Sequence, residues 1–248
     1  MSFRVVIPVR FDSSRLPGKA LLPLAGKPMV QWVHERARAS RAAEVVIATD
    51  DERIAIAARG FGADVAMTAR THLSGSDRIA EVAAARGWAE TDIVVNVQGD
   101  EPLIPPPVID QVAQLLATHS RADIATLAVK LDAATDLTEP NVVKVACDAT
   151  GRALYFSRAA IPWNRDAPTT LLPAHLRHVG IYAYRVSALR KLAALPTGRL
   201  EQIEKLEQLR ALENGMEIRV ALAVERPLAD VNTAADLERA ERALAVRP

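Results

Sequence analysis

Cysteine is almost absent from this chain, and several protein classes are excluded with it. Cys147 is the single cysteine among 248 residues, so no intrachain disulfide can form. Because no second cysteine and no Cys/His spacing offers zinc ligands, we expect no zinc site. No apolar run reaches the roughly 18 residues of a membrane span, and the segment MSFRVVIPVR lacks the long apolar stretch of a signal peptide. We therefore expect a soluble cytoplasmic protein without a membrane partner.

Net charge is nearly absent as well. The chain carries 31 lysines and arginines against 30 aspartates and glutamates, which gives a formal charge of +1 at pH 7. Without an overall basic field, a nucleic-acid partner is not expected, and anions have to be bound by local clusters of cations. Half of the residues are hydrophobic, as in a globular chain long enough to bury a sizeable core.

Apolar runs and helical patterns alternate in the first half of the chain. Strand–helix–strand repetition of this kind predicts a parallel sheet that is covered by helices on both faces. The predicted strands are 4–8, 44–49, 63–67 and 92–98. The predicted helices are 28–40, 51–61 and 76–88.

The second half of the chain reads differently, because strand-like runs follow one another with little helix between them. Segment 199–215 is predicted to be one amphipathic helix, since leucines recur along one stripe and Gly215 ends it. We predict one α/β domain over 1–248, a three-layer sandwich with a mostly parallel mixed sheet and an embedded mixed-sheet portion at about 123–215. The further predicted elements are strands 123–131, 142–148, 151–157, 177–186 and 217–223, and helix 232–246.

Cations cluster directly after the first predicted strand. The loop IPVRFDSSRLPGKAL carries Arg10, Arg15 and Lys19 against one carboxylate, Asp12. Ligands of open α/β sheets bind beyond the carboxyl ends of the strands, so this loop is a candidate polyphosphate site. It is not a P-loop, and no G-x-G-x-x-G follows any predicted strand. Composition alone leaves a solvated basic turn as the alternative.

A second polar group ends the fourth predicted strand. The segment VNVQGDEPLI places Gln98 and Asp100 at the sheet edge where the cationic loop is expected. A carboxylate beside a phosphate site is a natural magnesium ligand, whereas a lone carboxylate at a strand end often only caps a turn. The sequence therefore predicts a nucleotide–magnesium site if Asp100 and the loop converge.

These stretches together resemble the sugar-activating nucleotidyltransferases, and within them the 3-deoxy-manno-octulosonate (Kdo) cytidylyltransferase family, the CMP-Kdo synthetases. The resemblance covers residue 4 to about 240, and the segments SRAAIPW and RHVGIYAYR distinguish the narrower family. The other segments that carry it are IPVRFDSSRLPGKAL, GKPMVQWV, VVIATDDE, SGSDRIAEV, VNVQGDEPLI and LEQIEKLEQLRALENG.

The resemblance implies a nucleotide-diphospho-sugar transferase fold and an enzyme that converts CTP and Kdo into CMP-Kdo and diphosphate. It also implies magnesium as cofactor, a homodimer, and a role in lipopolysaccharide biosynthesis. Two alternatives stay open. One is another CMP-sugar-acid synthetase, for sialate or 8-amino-Kdo. The other is a non-catalytic relic that binds CTP without releasing diphosphate.

Residue roles follow from the resemblance. It implies that Arg15, Lys19 and Asp100 are catalytic and that Asp100 binds magnesium. It also implies that Ser74 and Gly75 recognise the cytosine base, and a plain helix cap is the alternative for Ser74. The triphosphate ligands that it implies are Arg10, Ser14, Arg15 and Lys19. The sugar-binding residues that it implies are Arg78, Gln98, Tyr155, Arg158, His178, Tyr182, Glu201 and Glu204.

The sugar-binding role of Glu201 and the second metal ligand each have a local alternative. A solvated helix face with a Glu201–Lys205 pair is the alternative for Glu201. The family places a second metal-binding aspartate where this chain has Asn232, which can ligate through its carbonyl oxygen but brings no charge. Asp230 lies two residues earlier, on the same face if the chain is extended there. It could supply the missing charge, or it could cap the sheet edge.

Overall fold

The computed structural model describes residues 2–12, 16–228 and 230–246, and these form one large mixed sheet with helices on both faces. The strands are β1 (Arg4–Val9), β2 (Pro23–Leu24), β3 (Lys27–Pro28), β4 (Glu44–Thr49), β5 (Asp64–Met67), β6 (Ile93–Asn96), β7 (Ile124–Lys130), β8 (Lys144–Cys147), β9 (Ala153–Ser157), β10 (Leu176–Arg185) and β11 (Ile218–Leu222). The helices are α1 (Met29–Arg38), α2 (Glu52–Gly60), α3 (Gly75–Ala85), α4 (Pro106–Thr118), α5 (Ala134–Thr138), α6 (Val186–Ala194), α7 (Arg199–Glu204), α8 (Gln208–Glu213) and α9 (Ala234–Val246), with a 3-10 turn at Lys19–Leu21.

The main sheet has the strand order β11-β7-β10-β6-β1-β4-β5. Strands β6, β1, β4 and β5 pair in parallel, and β11 is parallel to β7. Strand β10 is antiparallel to both β6 and β7, and it also pairs with the β8–β9 hairpin. The predicted fold class, a mostly parallel mixed sheet, is therefore confirmed.

Side chains alternate between the two faces of β1 and divide the core in two. Val5 and Ile7 pack in a cluster with residues of α1, α2 and α4. Val6 packs in a second cluster with residues of α3, α6 and α8. All three side chains are fully buried, because a parallel sheet that is covered on both faces has no solvated side. The molecule thus has the three predicted layers.

The prediction of one helix over 199–215 is wrong, because the helix breaks at Lys205. Lys205 has the left-handed backbone angles φ 54° and ψ 45°, so α7 ends there and α8 begins three residues later. A non-glycine residue in this region costs of the order of 1 kcal/mol. Tertiary packing offsets that cost, since Leu206 and Leu209 turn into the core while Ile203 stays exposed.

Three helices, α4, α5 and α6, were not predicted by the sequence patterns, and α4 and α6 cover opposite faces of the sheet. Helix α4 starts within a run of three prolines, which fit a first helical turn because its N–H groups need no partner inside the helix. Helix α6 follows β10 directly and packs Leu189 and Leu192 into the core. No helix in the described part of the chain is long and apolar enough to cross a membrane.

Candidate active site

The cationic loop and the strand-end carboxylate meet at one edge of the sheet. Because β1 and β6 pair in parallel, the segments that follow them leave the sheet at the same edge. The ammonium of Lys19 donates to Asp100 Oδ2 at 2.7 Å. It also donates to the carbonyl oxygen of Val231 at 2.9 Å and to Asn232 Oδ1 at 3.3 Å. The predicted convergence of Lys19 and Asp100 is confirmed.

Gly18 makes this placement of Lys19 possible. Its φ is +67°, and a Cβ at this position would lie 3.1 Å from the Phe11 ring. Only glycine adopts this conformation without strain, and the Gly18 N–H donates to the carbonyl oxygen of Phe11 at 3.0 Å. The loop is thereby closed on itself, and Lys19 starts the 3-10 turn. The predicted residues Ser14 and Arg15 lie outside the described residues.

Two pockets meet at the Lys19–Asp100 contact. The loop pocket, of about 320 Å³, is lined by Arg10 and Lys19 from the cationic loop. The inner pocket, of about 480 Å³, lies over β6 and β10. Three residues line both pockets: Gln98, Asp100 and Asn232. Ligands in the two pockets would therefore approach each other at this junction.

The inner pocket holds three of the predicted sugar-binding residues: Gln98, His178 and Tyr182. His178 Nε2 lies 2.8 Å from Thr126 Oγ1. Burial, helped by the charge of Arg177, lowers the pKa of His178 to about 3. The imidazole is therefore neutral at pH 7 and can hydrogen-bond a ligand but not neutralise it. Burial also raises the pKa of Tyr182 well above its usual value.

The inner pocket also contains polar residues to which the sequence gave no role, and Glu101 is the most unusual. Burial and the charges of Asp100 and Asp230 raise the pKa of Glu101 to about 8, against the opposing effect of Arg177. Glu207 lines the same pocket and accepts a hydrogen bond from the Ser76 hydroxyl. The adjacent carboxylates in GDEP were the one sequence signal for Glu101.

Arg78 lies elsewhere than the resemblance implied. Its side chain is fully buried beneath α3, where one guanidinium nitrogen donates to Asp50 Oδ2 at 2.8 Å and another to the Thr68 hydroxyl. A buried guanidinium needs such partners, and two of the three Arg78 nitrogens have them within the protein. The structure therefore does not direct Arg78 toward the inner pocket.

Ser74 and Gly75 form the start of α3. Ser74 and Asp77 make a reciprocal capping box. Ser74 Oγ accepts a hydrogen bond from the Asp77 N–H at 3.2 Å, and Asp77 Oδ2 accepts one from the Ser74 N–H at 3.0 Å. A Cβ on Gly75 would lie 3.2 Å from Pro8 Cγ, so glycine lets α3 begin against β1. The helix-cap alternative is thus realised, next to the loop-pocket residue Pro8.

Four predicted sugar ligands have partners of their own around α7. The Glu204 carboxylate accepts hydrogen bonds from Ser157 Oγ at 2.6 Å and from the Arg158 N–H at 3.0 Å. Burial and the charge of Glu204 raise the pKa of Tyr155. Arg158 Nε donates to the carbonyl oxygen of Glu204 at 2.7 Å. Glu201 forms two 2.7 Å bonds with Arg210 and not the surface pair with Lys205. Tyr155, Arg158 and Glu204 interact with one another and Glu201 binds Arg210, and none of the four lines the inner pocket.

The oxygens around the Lys19 ammonium suit a hard cation. Asp100 contributes a carboxylate, Val231 a backbone carbonyl and Asn232 an amide carbonyl. Mg²⁺ prefers oxygen ligands and usually takes one or two carboxylates with substrate phosphates. The residues present fit that ion, and Asp230 adjoins them because the Asn232 amide donates to its carboxylate at 2.6 Å. No cluster of three His, Cys, Asp or Glu suited to a metal occurs within residues 2–12, 16–228 and 230–246.

Comparison with known proteins identifies the class of enzyme. The family model described as cytidylyltransferase matches residues 4–218. The chain therefore belongs to the cytidylyltransferases, which are nucleotidyltransferase enzymes.

More specific similarity is found among curated relatives and solved structures. The 3-deoxy-manno-octulosonate cytidylyltransferases of Thioalkalivibrio sulfidiphilus and Pseudomonas syringae pv. tomato are 53% and 56% identical to this chain. The alignments cover 98% of this chain and 99% and 98% of those proteins. The structure of CMP:2-keto-3-deoxy-manno-octonic acid synthetase complexed with CTP is 41% identical with a TM-score of 0.91, over 100% of this chain and 99% of that one. The resemblance to this narrower family is confirmed.

Proposed function

We propose that this protein catalyses the reaction of CTP with Kdo to give CMP-Kdo and diphosphate. The observation that carries the proposal is the junction of the loop pocket and the inner pocket at Lys19 and Asp100. A reaction between a nucleotide and a sugar needs two adjoining sites with charge neutralisation where they meet. The names of the relatives and the CTP complex of the similar structure support the same reaction.

The loop pocket takes the triphosphate in this proposal. Arg10 and Lys19 bind phosphate oxygens, together with Ser14 and Arg15 of the same loop. The anomeric hydroxyl oxygen of Kdo forms a bond to the α-phosphorus while the bond to the α,β-bridging oxygen breaks. Diphosphate leaves with that electron pair, and the hydroxyl proton passes to water. Lys19 stabilises the charge that develops on the leaving group.

The inner pocket takes the sugar acid. Arg177 lines it and provides a cation for the carboxylate of Kdo. Gln98 lies where the two pockets join and contacts both substrates. The neutral His178 and the hydroxyl of Tyr182 bind sugar hydroxyls. Reading of the cytosine by the backbone at Ser74 and Gly75 belongs to the same proposal, since this turn adjoins Pro8 of the loop pocket.

Asp100 and Asn232 would hold magnesium, with Asp230 as the second carboxylate. When bound, the ion neutralises phosphate charge and makes the attacking hydroxyl more acidic. Lys19 now hydrogen-bonds to Asp100 and Asn232 oxygens. If those oxygens held a cation, the Lys19 ammonium would be free to bind phosphate oxygens.

Diphosphate release tests the proposed reaction. The purified enzyme is supplied with each of CTP, UTP, ATP and GTP, and each is combined with Kdo, 8-amino-Kdo or sialate. Release with CTP and Kdo, at a kcat/KM well above that of the other pairs, supports the proposal. Binding of CTP without release identifies a non-catalytic relic, and preference for sialate identifies another CMP-sugar-acid synthetase.

The proposal includes a homodimer that supplies CMP-Kdo for lipopolysaccharide in the cytoplasm. Exposed apolar side chains support the association: Leu154 on β9, Trp163 beyond it and Ile203 on α7 are 54%, 64% and 68% exposed. Exposed apolar patches that extend over neighbouring elements mark interfaces, and the hydrogen bond from Ser157 to Glu204 joins β9 to α7. Light scattering should give twice the 26.8 kDa chain mass; a monomer mass at micromolar concentration would contradict the dimer.

A further inference from the structure

Unpartnered polar atoms are concentrated in the inner pocket. Among the residues that the structure describes, four buried side-chain nitrogen or oxygen atoms have no hydrogen-bond partner. Three of them belong to lining residues of the inner pocket: Asn96 Oδ1, Glu101 Oε2 and Arg177 Nε. The fourth is Arg78 Nε, beneath α3. Buried polar groups are almost always paired in native proteins, so three orphans in one pocket call for a partner from a ligand or a bound water.

The sheet holds Asn96 rigidly at its place in the pocket. Asn96 is the last residue of β6 and is in register with Val6 of β1 and Tyr182 of β10. Its side chain is 3% exposed. Backbone pairing on both sides and burial keep this side chain away from bulk water, so its free carbonyl oxygen depends on a group that enters the pocket.

A local irregularity of β10 makes room for Glu101. The β10–β7 register shifts between Val179 and Tyr182, and Gly180 lies inside this shift. A Cβ on Gly180 would be 3.3 Å from Glu101 Oε1, which is tighter than an ordinary contact. The glycine therefore keeps the space that the carboxyl group occupies. Arg177, on the same strand, is in register with Val129 of β7 and Lys144 of β8, which fixes its backbone on both sides.

The chemistry of the three atoms selects among ligands. Asn96 Oδ1 accepts hydrogen bonds and Arg177 Nε donates one, whereas the Glu101 carboxyl group accepts when ionised and also donates when protonated. A phosphate chain offers acceptors, so it suits Arg177 but leaves the Asn96 carbonyl oxygen unpaired. An apolar ligand leaves all three atoms unpaired. A polyhydroxylated acid satisfies all of them, because its hydroxyls donate and its carboxylate accepts.

We propose that Asn96, Glu101 and Arg177 determine the sugar-acid specificity of the inner pocket. Asn96 and Glu101 bind sugar hydroxyls, and Arg177 Nε donates to the carboxylate. This inference rests on the proposed function, because it assigns the inner pocket to the sugar acid and the loop pocket to the nucleotide. It adds Asn96 and Glu101 to Arg177, which the proposed function already assigns to the carboxylate of Kdo.

Steady-state kinetics with the variants Asn96→Ser, Glu101→Gln and Arg177→Gln tests the inference. We expect the KM for Kdo to rise about tenfold or more, because each variant loses one good hydrogen bond to a buried group. The KM for CTP should stay within about twofold of the wild-type value. Glu90→Gln and Arg190→Gln are the controls, because this ion pair lies on the surface. Circular dichroism and melting curves verify that each variant is folded; should Arg177→Gln fail to fold, Asn96→Ser and Glu101→Gln decide.

Modified substrates distinguish a specificity residue from a structural one. Replacing the carboxylate of Kdo by a carboxamide should lower kcat/KM more for the wild type than for Arg177→Gln. Likewise, a Kdo analogue that lacks the hydroxyl bound by Asn96 or Glu101 should lower kcat/KM less for the corresponding variant than for the wild type. Variants with the wild-type KM for Kdo would overturn the inference, as would an equal loss of kcat/KM in the wild type and the variants with every analogue. The unpartnered atoms would then be bound by water. A wild type that releases no diphosphate with any sugar acid refutes the proposed function itself; an active wild type with unaffected variants refutes this inference alone.

Discussion

Lys19 Nζ lies 2.7 Å from Asp100 Oδ2, although 81 residues separate them along the chain. The parallel pairing of β1 with β6 creates this contact, because the segments that follow the two strands leave the sheet at the same edge. The contact stands where the loop pocket and the inner pocket meet. A cation and a carboxylate at the border of two pockets are what transfer of a nucleotidyl group to a sugar requires.

Removing the Lys19 ammonium should slow turnover without unfolding the protein. We expect Lys19→Ala to lower kcat by about 100-fold, because a charge aimed at the leaving group acts mainly in the transition state. Lys27→Ala is the matched control, since Lys27 pairs with Glu35 at 2.8 Å on a half-exposed surface nearby. Stopped-time assays of diphosphate release and circular dichroism give both readouts. Unchanged turnover of Lys19→Ala would remove this residue from the mechanism.

Restoring a charge at position 232 should strengthen metal binding. Asn232 presents its amide carbonyl to the Lys19 ammonium at the proposed cation site, and Asn232→Asp adds a carboxylate, the better magnesium ligand. The Mg²⁺ concentration that gives half-maximal activity should fall about tenfold, in line with one further charged ligand. An unaltered Mg²⁺ requirement, with normal folding, would show that position 232 does not ligate the metal.

Glu201 should matter for stability rather than for sugar binding. Its two 2.7 Å bonds go to Arg210, which is 6% exposed. Glu201→Gln should lower the free energy of unfolding by about 2 kcal/mol, the loss of charge-assisted bonds to a buried group, with the KM for Kdo unchanged. The surface pair Glu238–Arg242 supplies the control Glu238→Gln, which should cost about 0.5 kcal/mol or less. A raised KM at unaltered stability would return Glu201 to the sugar site.

His178 should make the protein sensitive to acid. Its pKa in the folded state is about 3 against 6.5 in the unfolded chain. Between those values the unfolded chain binds a proton that the folded protein does not, so stability falls as the pH falls from 6.5 toward 3. The slope is at most about 1.4 kcal/mol per pH unit. Urea unfolding of His178→Gln should therefore show a weaker pH dependence than the wild type; parallel curves would contradict a neutral, buried imidazole.

Much of the site framework could be predicted from the chain alone. The uniformly apolar runs of β1 and β6 indicated buried parallel strands. Because ligands of such sheets bind beyond the carboxyl ends of the strands, Lys19 and Asp100 were expected at one edge. Both inferences depend on local sequence and on the geometry of parallel sheets. Neither requires knowledge of which side chains pair across the fold.

The features that escaped prediction depend on tertiary packing. The leucine spacing over 199–215 fits one helix, and only the packed structure shows that Leu206 and Leu209 are buried by a break at Lys205. Glu201 and Arg78 carry charges suited to a sugar acid, yet Arg210 and Asp50 already pair with them. The unpartnered atoms of the inner pocket are equally invisible in sequence, because being unpaired is a property of the surroundings.

In the proposed mechanism, Lys19 and Asp100 act on a single nucleotide–metal complex. A crystal structure with CTP and Mn²⁺ in place of Mg²⁺ tests it most directly, because anomalous scattering locates the metal. We predict a manganese peak within ligand distance of Asp100 and the triphosphate in the loop pocket in contact with Lys19. A manganese ion bound away from Asp100, or a triphosphate that occupies the inner pocket, would show that Lys19 and Asp100 do not act on one complex.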